Sequence, residues 1–204
     1  MPRGIAREIL NRGYGNAILT LAPLLAKSGK YAEAEELVRQ GFGLRVCLAA
    51  YDEGYVRNAA YAVAQEYRDR AMYDKEEAWL KGVVNDQQKR HGDRHYQTSE
   101  YQFRLAECYL SHSHAVANDK NLSAKLYALS NQEFAQGLHT LATTVGPAEG
   151  DYKSAIQART NDLLRFGKEA DAAALATAHG QRVPVTRREA PVNVGTPEPT
   201  IIQP

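Results

Sequence analysis

The chain has 204 residues, with 25 lysines and arginines against 24 aspartates and glutamates, which leaves a formal net charge of +1. No run of five or more like charges occurs, so the chain has no field that would attract nucleic acid or an anionic membrane. No stretch reaches the ~18 to 20 apolar residues that cross a bilayer, and the sequence therefore predicts no membrane insertion.

Residues 1–14 contain several arginines among isolated apolar residues and have no long apolar core. This composition argues against a secretory signal peptide and predicts a cytoplasmic protein. A periplasmic or otherwise exported protein whose leader had been removed would have the same sequence, so that location stays the alternative. Ile5, Ile9 and Leu10 predict a short helix that caps the first helix pair.

The stretch from Ala17 to Arg39 predicts two amphipathic helices folded against each other. Apolar residues recur at helical spacing on both sides of Ser28-Gly29-Lys30, which is the predicted turn. Such a pair cannot bury its apolar stripes alone, so it requires further pairs beside it. Good helix formers dominate the middle of the chain and proline is almost excluded there, which predicts an all-α protein.

The same pattern recurs when the chain is shifted by 42 residues. Three packing columns share this step: Leu21, Val63 and Leu105; Ala22, Ala64 and Ala106; Leu25, Tyr67 and Tyr109. The small residues Gly29, Ala71 and Ser113 fall at equivalent turn positions, and Tyr31 and Tyr73 follow the first two at the same step. A fixed period shared by several stretches indicates a repeat architecture.

These columns, together with the sequence GKYAEAEEL from Gly29 to Leu37, resemble the tetratricopeptide repeat. The 42-residue step and the link GDRHYQT at residues 92–98 resemble the kinesin-light-chain subclass in particular. The resemblance implies a right-handed superhelical solenoid of about four antiparallel helix pairs over residues 15–180. It also implies that the first helix of each pair lines a concave groove that binds a peptide or helix of another protein.

The second and third units depart from the repeat. Glu76 stands where the packing alanine Ala34 would recur. The third unit loses the 42-residue register after His114 and contains about 12 extra residues. These extra residues are expected in a polar turn at residues 114–123 and in a lengthened second helix that reaches Thr143.

A fourth, more degenerate pair follows Gly146, with Gly167 at its turn and Ala172 at its packing position. Arg159 and Thr160 stand where large and small apolar residues are expected. Polar residues at these positions predict a terminal pair whose outer face meets water. Apolar surface left by an imperfect terminal pair would also allow a second copy of the chain to bind, so a homo-oligomer stays open.

The resemblance assigns the groove to positions beside the large and small packing residues. These are Asn16, Thr20 and Lys27 in the first unit, Asn58, Tyr61, Gln65, Arg68 and Asp69 in the second, and Glu100, Phe103, Arg104, Glu107 and Ser111 in the third. Exposed aromatic residues, with Tyr101 among them, would anchor a bound segment. Asn58 would bond to its backbone, and Arg68 and Arg104 would pair with its carboxylates.

Two observations limit what the resemblance carries over. The chain has Leu19-Thr20, Tyr61-Ala62 and Phe103-Arg104 where the kinesin-light-chain subclass has paired asparagines, so the ligand preference of that subclass does not transfer. For each groove position, an exposed helix face without a ligand is the competing interpretation.

The sequence contains no glycine-rich phosphate loop, nucleophile elbow or HExxH motif. Two histidine pairs come closest to a metal site: His91 and His95 near Asp93, and His112 and His114 near Asp119. Their spacing is unspecific, and solvated or helix-capping histidines are the preferred interpretation. Cys47 and Cys108 are predicted to be buried reduced thiols, because neither has a CxxC partner or a nearby ligand set.

A thiolate and imidazole pair of Cys108 with His112 is the nearest alternative for catalysis, but no third orienting group accompanies it. The favoured prediction is therefore a non-catalytic adaptor or scaffold without cofactor or metal. The alternatives are a structural subunit that uses its convex face and tail, and an accessory domain of an enzyme that uses the irregular region from His112 to His139.

The tail at residues 181–204 differs from the rest, since five of the eight prolines fall in it. This composition cannot bury a core and predicts an extended or disordered segment. The tail is either an inert linker or a segment that docks on a partner.

Overall fold

The computed structural model of the protein describes residues 16–43, 50–92, 95–147 and 149–181, and these residues form helices and turns without a strand. The all-α class predicted from the sequence is therefore confirmed. The predicted cap at residues 1–14, Cys47, Asp93 and the tail from residue 182 lie outside the described residues.

The helices of the described ranges are α1 at residues 16–27, α2 (Tyr31–Gly43), α3 (Ala50–Asp69), α4 (Tyr73–His91), α5 (Tyr96–Ala115), α6 (Lys120–Thr144), α7 (Gly150–Arg165) and α8 (Glu169–Ala178). The chain divides into two compact units, one up to Ile156 and one from Gln157 onward, with the boundary inside α7. In the first unit, α2 to α6 each pack against the helix next to them in sequence. None of the helices in these ranges combines the length and the apolar character needed to cross a bilayer.

Two tight turns share one geometry at positions 42 residues apart. Gly29 follows α1 with a φ of 82°, and Ala71 follows α3 with a φ of 55°. In both turns the next N–H donates to the carbonyl five positions earlier, at 2.9 Å, which satisfies a carbonyl at the helix end. Tyr31 and Tyr73 then begin α2 and α4. The 42-residue step found in the sequence therefore also separates two turns of the same backbone conformation.

A side-chain contact recurs at the same step. The Tyr67 hydroxyl on α3 donates to Glu35 Oε1 on α2 at 2.7 Å, and the Tyr109 hydroxyl on α5 donates to Glu77 Oε1 on α4 at 3.0 Å. Each glutamate also pairs with a basic residue one turn further along its own helix. The contact between α2 and α3 is thus made in the same way as the contact between α4 and α5.

The packing columns are buried with one clear exception. The small-residue column is buried throughout, at Ala22, Ala64 and Ala106. In the large-residue column Val63 and Leu105 are buried, whereas Leu21 is 49% exposed. Leu24 is 56% exposed, so these two leucines form an open apolar face on α1. The first repeat, α1 with α2, therefore has the turn and the buried small residue of the later repeats, but its large packing residue is not buried.

The third repeat, α5 with α6, contains the predicted insertion. The repeat step puts a turn at Ser113, but Ser113 is buried inside α5, which continues to Ala115. The connection to α6 is residues 116–119, shorter than the turn expected at residues 114–123, and α6 then has 25 residues against 19 in α4. Asp119 begins α6 by accepting from the N–H groups of Asn121 and Leu122, at 3.1 and 3.0 Å. Helix α5 has 20 residues, as α3 does, so the extra residues lengthen α6 and not α5.

In the second compact unit, Gly167 has a φ of 71° at its turn and Ala172 is fully buried, as the repeat pattern predicts. Arg159 and Thr160, which stand where large and small apolar residues are expected, are both buried, so they keep the packing positions despite their polarity. They lie at helical spacing with the buried Leu163, on one face of α7, and the periodicity of the helix outweighs their polarity.

Candidate functional site

A pocket of about 220 Å³ lies between α3, α4 and α5. Its lining residues are Tyr61, Ala62, Ala64, Gln65 and Arg68 of α3, Leu80 of α4 and Arg104 of α5. The tyrosine, the glutamine and both arginines are among the positions that the sequence assigns to the groove. The structure thus brings four predicted site residues, from two neighbouring units, to one concave surface.

Tyr61 is the aromatic residue of this pocket. Its ring contacts Tyr101 edge-on at a centroid distance of 5.3 Å, and the Arg104 guanidinium lies 4.7 Å from its centroid. Burial raises the pKa of Tyr61, and the charge of Glu100 adds to the effect, so the hydroxyl stays protonated and can donate. Tyr101 itself is buried, which corrects the expectation that it is an exposed anchor.

Arg68 joins two carboxylates from different helices. Its Nε donates to Glu76 Oε1 at 2.9 Å, and its Nη2 reaches the same oxygen. Its Nη1 donates to Glu107 Oε1 at 2.6 Å, while Arg104 Nη1 donates to the other oxygen of Glu107 at 2.9 Å. The Arg68 side chain is only 13% exposed and that of Glu76 is fully buried. These four residues, the charged network, link α3, α4 and α5.

The charged network holds its charges by mutual pairing against the effect of burial. Burial acts to lower the pKa of Arg68, but the hydrogen bonds and charges of Glu76 and Glu107 outweigh it and raise that pKa. Burial likewise acts to raise the pKa of Glu107, but Arg68 and Arg104 hold it below its ordinary value. For Glu76 burial is the largest effect, and its pKa is raised despite the Arg68 contact.

The sequence pattern did not predict the contact that Glu76 makes. It occupies the place of Ala34 in the preceding unit, and both positions are fully buried. A carboxylate at a packing position needs a cation, and Arg68 supplies it across the turn, eight residues earlier. This corrects the expectation that Arg68 is available for the carboxylates of a partner. The replaced alanine was the signal that could have predicted the contact.

Other predicted groove residues of these units surround the pocket without lining it. Glu100 bonds to Arg57, and Gln65 Nε2 donates to Asp69 Oδ1 at 2.7 Å. Burial raises the pKa of Glu100, although the charge of Arg57 opposes that shift. Asn58 is exposed on α3. The polar rim is therefore largely engaged in internal contacts, with Asn58 in the open.

The three predicted groove residues of the first unit are all exposed on α1, outside this pocket. The Thr20 hydroxyl donates to the Asn16 carbonyl at 2.9 Å within the same helix. Lys27 Nζ lies 3.9 Å from a carboxylate oxygen of Glu66, at the limit of an ion pair. The structure therefore gathers the second and third units at the pocket, but not the first.

Phe103 and Ser111 were also expected in the groove, and the structure places both elsewhere. The Phe103 ring lies 5.4 Å from the ring of Phe134 on α6 and packs onto Gly137, where an added Cβ would lie 2.6 Å from it. Phe103 therefore belongs to the contact between α5 and α6. Ser111 is buried rather than exposed.

The histidines and the cysteine that came closest to a metal or nucleophilic site lie in surroundings that do not favour that chemistry. His112 stacks on Tyr73 at 4.8 Å, and His91 stacks on His95 at 4.6 Å. Burial raises the pKa of Cys108, which disfavours a thiolate. Across the four described ranges, no cluster of three or more potential ligands that could hold a metal is found.

Comparisons with known proteins assign the chain to no family, so its function has to be inferred from the geometry. No model of a known protein family matches the chain, and no curated protein matches it either. The resemblance to the tetratricopeptide repeat therefore rests on the 42-residue step, the turns and the repeated tyrosine contacts.

Proposed function

We propose that the chain is a repeat protein of the tetratricopeptide type that binds a segment of another protein in a groove formed by α3 and α5. In this proposal its helix pairs stack as a right-handed solenoid, with the first helix of each pair lining the groove. The recurrence of the same left-handed turn and the same tyrosine–glutamate contact after 42 residues supports it. Repeats of this kind create extended concave binding surfaces.

The observation that carries the proposal is the pocket between α3, α4 and α5. It combines an aromatic ring with a guanidinium stacked on that ring, which are side chains that contribute strongly to protein interfaces, and it has an exposed carboxamide beside them. The ring and the guanidinium are already held by neighbours, so little conformational entropy is lost when a partner binds. A rigid anchor site for one side chain of a bound segment fits this arrangement best.

The charges around the pocket favour an uncharged segment. Three arginines and three glutamates surround it in internal pairs: Arg57 with Glu100, Arg68 with Glu76 and Glu107, and Arg104 with Glu107. A partner carboxylate would have to compete with carboxylates that are already in place. We therefore expect an apolar or aromatic side chain with a hydrogen-bonding backbone, rather than the acidic segment that the sequence alone suggested.

Binding rather than catalysis is the activity that this pocket favours. Among the described residues, its lining contains no histidine, cysteine or carboxylate, so these residues offer neither a nucleophile with a base nor a metal ligand set. The proposed role, that of an adaptor or scaffold, requires no cofactor.

Blocking the pocket tests this role. Gln65 is exposed and lines the pocket, so Gln65→Trp would fill the opening without disturbing the core. Gln132 is exposed on α6 and makes Gln132→Trp a matched control. Both proteins and the wild type would be used for affinity capture from an extract of the native host, with quantitative mass spectrometry.

A partner of the groove would be captured by the wild type and by Gln65→Trp at a ratio of about ten or more, since filling a central anchor site removes well over 1 kcal/mol. Gln132→Trp should capture it as the wild type does. Equal recovery of every captured protein by both variants would reject the groove as the binding surface.

A structural subunit of a larger assembly is the second candidate, and the exposed apolar face of α1 favours it. Leu21 and Leu24 would each bury apolar surface against a partner. The variant Leu21→Ser/Leu24→Ser should then fail to form a complex that the wild type forms. Light scattering combined with size-exclusion chromatography measures this difference. An unchanged mass for both proteins would reject this role for α1.

A further inference from the structure

Helix α1 has apolar residues on two sides, and the described residues cover only one of them. On the covered side, Ile18 and Ala22 are buried in the core. On the other side, Leu21 and Leu24 are 49% and 56% exposed, and the helix contains no charged residue before Lys27. A helix that is apolar all round is normally buried all round. The side with Leu21 and Leu24 therefore requires a further contact.

The second helix of the same pair provides a comparison. The exposed residues of α2 include Glu33, Glu36 and Arg39, so its outer side is charged, as is usual for a helix side that faces water. Two exposed leucines three positions apart are neighbours on a helix surface, and clustered apolar surface of this kind marks a contact site. The outer side of α1 is therefore a docking surface rather than an ordinary solvent-facing side.

The chain immediately before α1 contains a matching apolar stripe. Residues 1–15 lie outside the described residues, but their sequence places Ile5, Ile9 and Leu10 at helical spacing. At the same spacing, Arg7 and Asn11 fall on the opposite side. The sequence therefore predicts an amphipathic turn of helix whose apolar side needs a neighbour, directly before a helix whose apolar side also needs one.

The link between the two stretches permits this contact. Gly13, Tyr14 and Gly15 separate them, and links of this length join antiparallel neighbouring helices. When the chain folds back at Gly15, residues at equal distances from it in sequence come to lie side by side, because both helices rise by about 1.5 Å per residue.

The positions of the apolar residues agree with this register. Ile9 and Leu21 are each six residues from Gly15, and Ile5 and Leu24 are ten and nine residues from it. Both isoleucines thus reach the level of an exposed leucine. No charged residue of α1 before Lys27 would be buried by the contact.

We propose that residues 5–10 lie antiparallel along α1, with Ile9 against Leu21 and Ile5 against Leu24. The occupant of the open side of α1 is thus the chain's own N-terminal segment, which belongs to the same compact unit as α1. This contact goes beyond the proposed function of the groove and does not depend on it. A partner that binds α1 in a larger assembly would have to displace the segment.

Disulfide formation in the full chain tests the contact and its register. Because a disulfide requires Cα atoms within about 7 Å, only residues that lie side by side are linked. The native cysteines are first removed by Cys47→Ser and Cys108→Ala. Two pairs are then introduced separately, Ile9→Cys/Leu21→Cys and Ile5→Cys/Leu24→Cys. Each should form a disulfide within one chain, which non-reducing electrophoresis and mass spectrometry detect as a linked monomer.

The pair Ile5→Cys/Ala17→Cys is the matched control. Ala17 is exposed on the same side of α1, but it lies about 10 Å from Leu24 along the helix axis. Its disulfide should form in a yield at least about fivefold lower, because the proposed register keeps the two residues apart. Equal yields for all three pairs, or no disulfide in either proposed pair, would overturn the inference. Linked dimers as the main product would assign the surface to a second copy and would overturn it as well.

A second measurement needs no introduced cysteine. Ile5→Ser/Ile9→Ser should uncover Leu21 and Leu24 and raise the fluorescence of the apolar dye anilinonaphthalene sulfonate about twofold or more. Arg7→Ser/Asn11→Ser, on the opposite side of the predicted helix, should leave the fluorescence as in the wild type. Equal fluorescence of the two variants would contradict the proposed contact. Neither measurement involves the groove, so its result is separate from that of the Gln65→Trp experiment.

Discussion

The helix pair α1–α2 and the helix pair α3–α4 share one design and differ at one decisive position. Both end their first helix in a left-handed turn, at Gly29 and Ala71, and both make the tyrosine–glutamate contact with the helix that follows the pair. The packing position between their helices is Ala34 in the first pair and Glu76 in the second. The shared contacts maintain the repeat, whereas the difference places a charge beside the candidate groove.

This difference has an energetic cost that only the second pair must offset. Ala34 is buried without a polar group, but the Glu76 carboxylate would be destabilising without its cation. Arg68 provides that cation and at the same time bonds to Glu107 of the next helix pair. The second pair therefore has a charged connection to its neighbour that starts from the packing position, where the first pair has only an alanine.

Removing Arg68 should break the second pair and have the largest effect. Arg68→Ala leaves Glu76 buried without its partner, and we expect the free energy of unfolding to fall by about 3–5 kcal/mol. Arg39→Ala, which removes an exposed ion pair with Glu35, should cost at most about 1 kcal/mol. Urea denaturation followed by circular dichroism measures both.

Converting the second pair to the composition of the first provides the control. The double variant Arg68→Met/Glu76→Ala replaces a buried ion pair by apolar residues, an exchange that is often neutral or stabilising. It should recover most of the stability that Arg68→Ala loses. A double variant as unstable as the single one would contradict the pairing of these two residues.

Acid should weaken the connection to the next pair through Glu107. Because its pKa is lowered in the folded protein, Glu107 stabilises the fold above the ordinary value of 4.5, and this contribution is lost as the pH falls below 4.5. Glu107→Gln should cost about 1.5–3 kcal/mol at pH 7. The difference between wild type and variant should shrink toward zero in acid, as urea denaturation at a series of pH values would measure.

The raised pKa of Glu76 acts in the opposite direction, since protonation at that site favours the folded state. Glu76 is present in both proteins, so their difference reports mainly on Glu107. A difference that stays constant from pH 7 to pH 3 would contradict the assigned role of Glu107.

Substitutions at the two turn residues should shift the free energy of unfolding of the protein in opposite directions. An L-residue in the left-handed region costs about 1–2 kcal/mol, so Gly29→Ala should destabilise the protein by about 1 kcal/mol. Ala71→Gly relieves the same conformation and should stabilise it by a similar amount. Thermal unfolding measures the two shifts, and equal signs would show that the turns are not equivalent.

The smallest expected effects come from the repeated tyrosines. Tyr67→Phe and Tyr109→Phe each delete one hydroxyl and its hydrogen bond to a glutamate, at an expected cost of about 0.5–1.5 kcal/mol. Equivalent contacts should lose similar amounts in urea denaturation. Two values that differ by more than about 1 kcal/mol would argue against structural equivalence of the two contacts.

The helices, the turns and the insertion in the third unit could be predicted because each depends on local pattern. Helical spacing of apolar residues and a glycine at Gly29 are sufficient to predict a turn between two helices. The repeated step then predicts the same turn at Ala71, although alanine is a poor residue for it. Loss of that step after His114 predicted the lengthened α6.

The polar contacts of the site depended on which neighbours each helix acquires, and the sequence was less informative there. Arg68 and Arg104 were expected to face a partner, but three-dimensional packing brings them to Glu107. Phe103 was expected in the groove, but its ring packs against Phe134 of α6. A single repeat pattern assigns a residue to a helix face and does not reveal how the next helix occupies that face.

The most direct test of the binding groove is site-specific photo-crosslinking in the native host. A photoreactive residue at Asn58, exposed on α3 one turn before Tyr61, should form a crosslink to a partner protein. The same group at Gln132, exposed on α6, should not crosslink to that partner. Crosslinks of equal yield at both positions, or at Gln132 alone, would contradict a groove between α3 and α5.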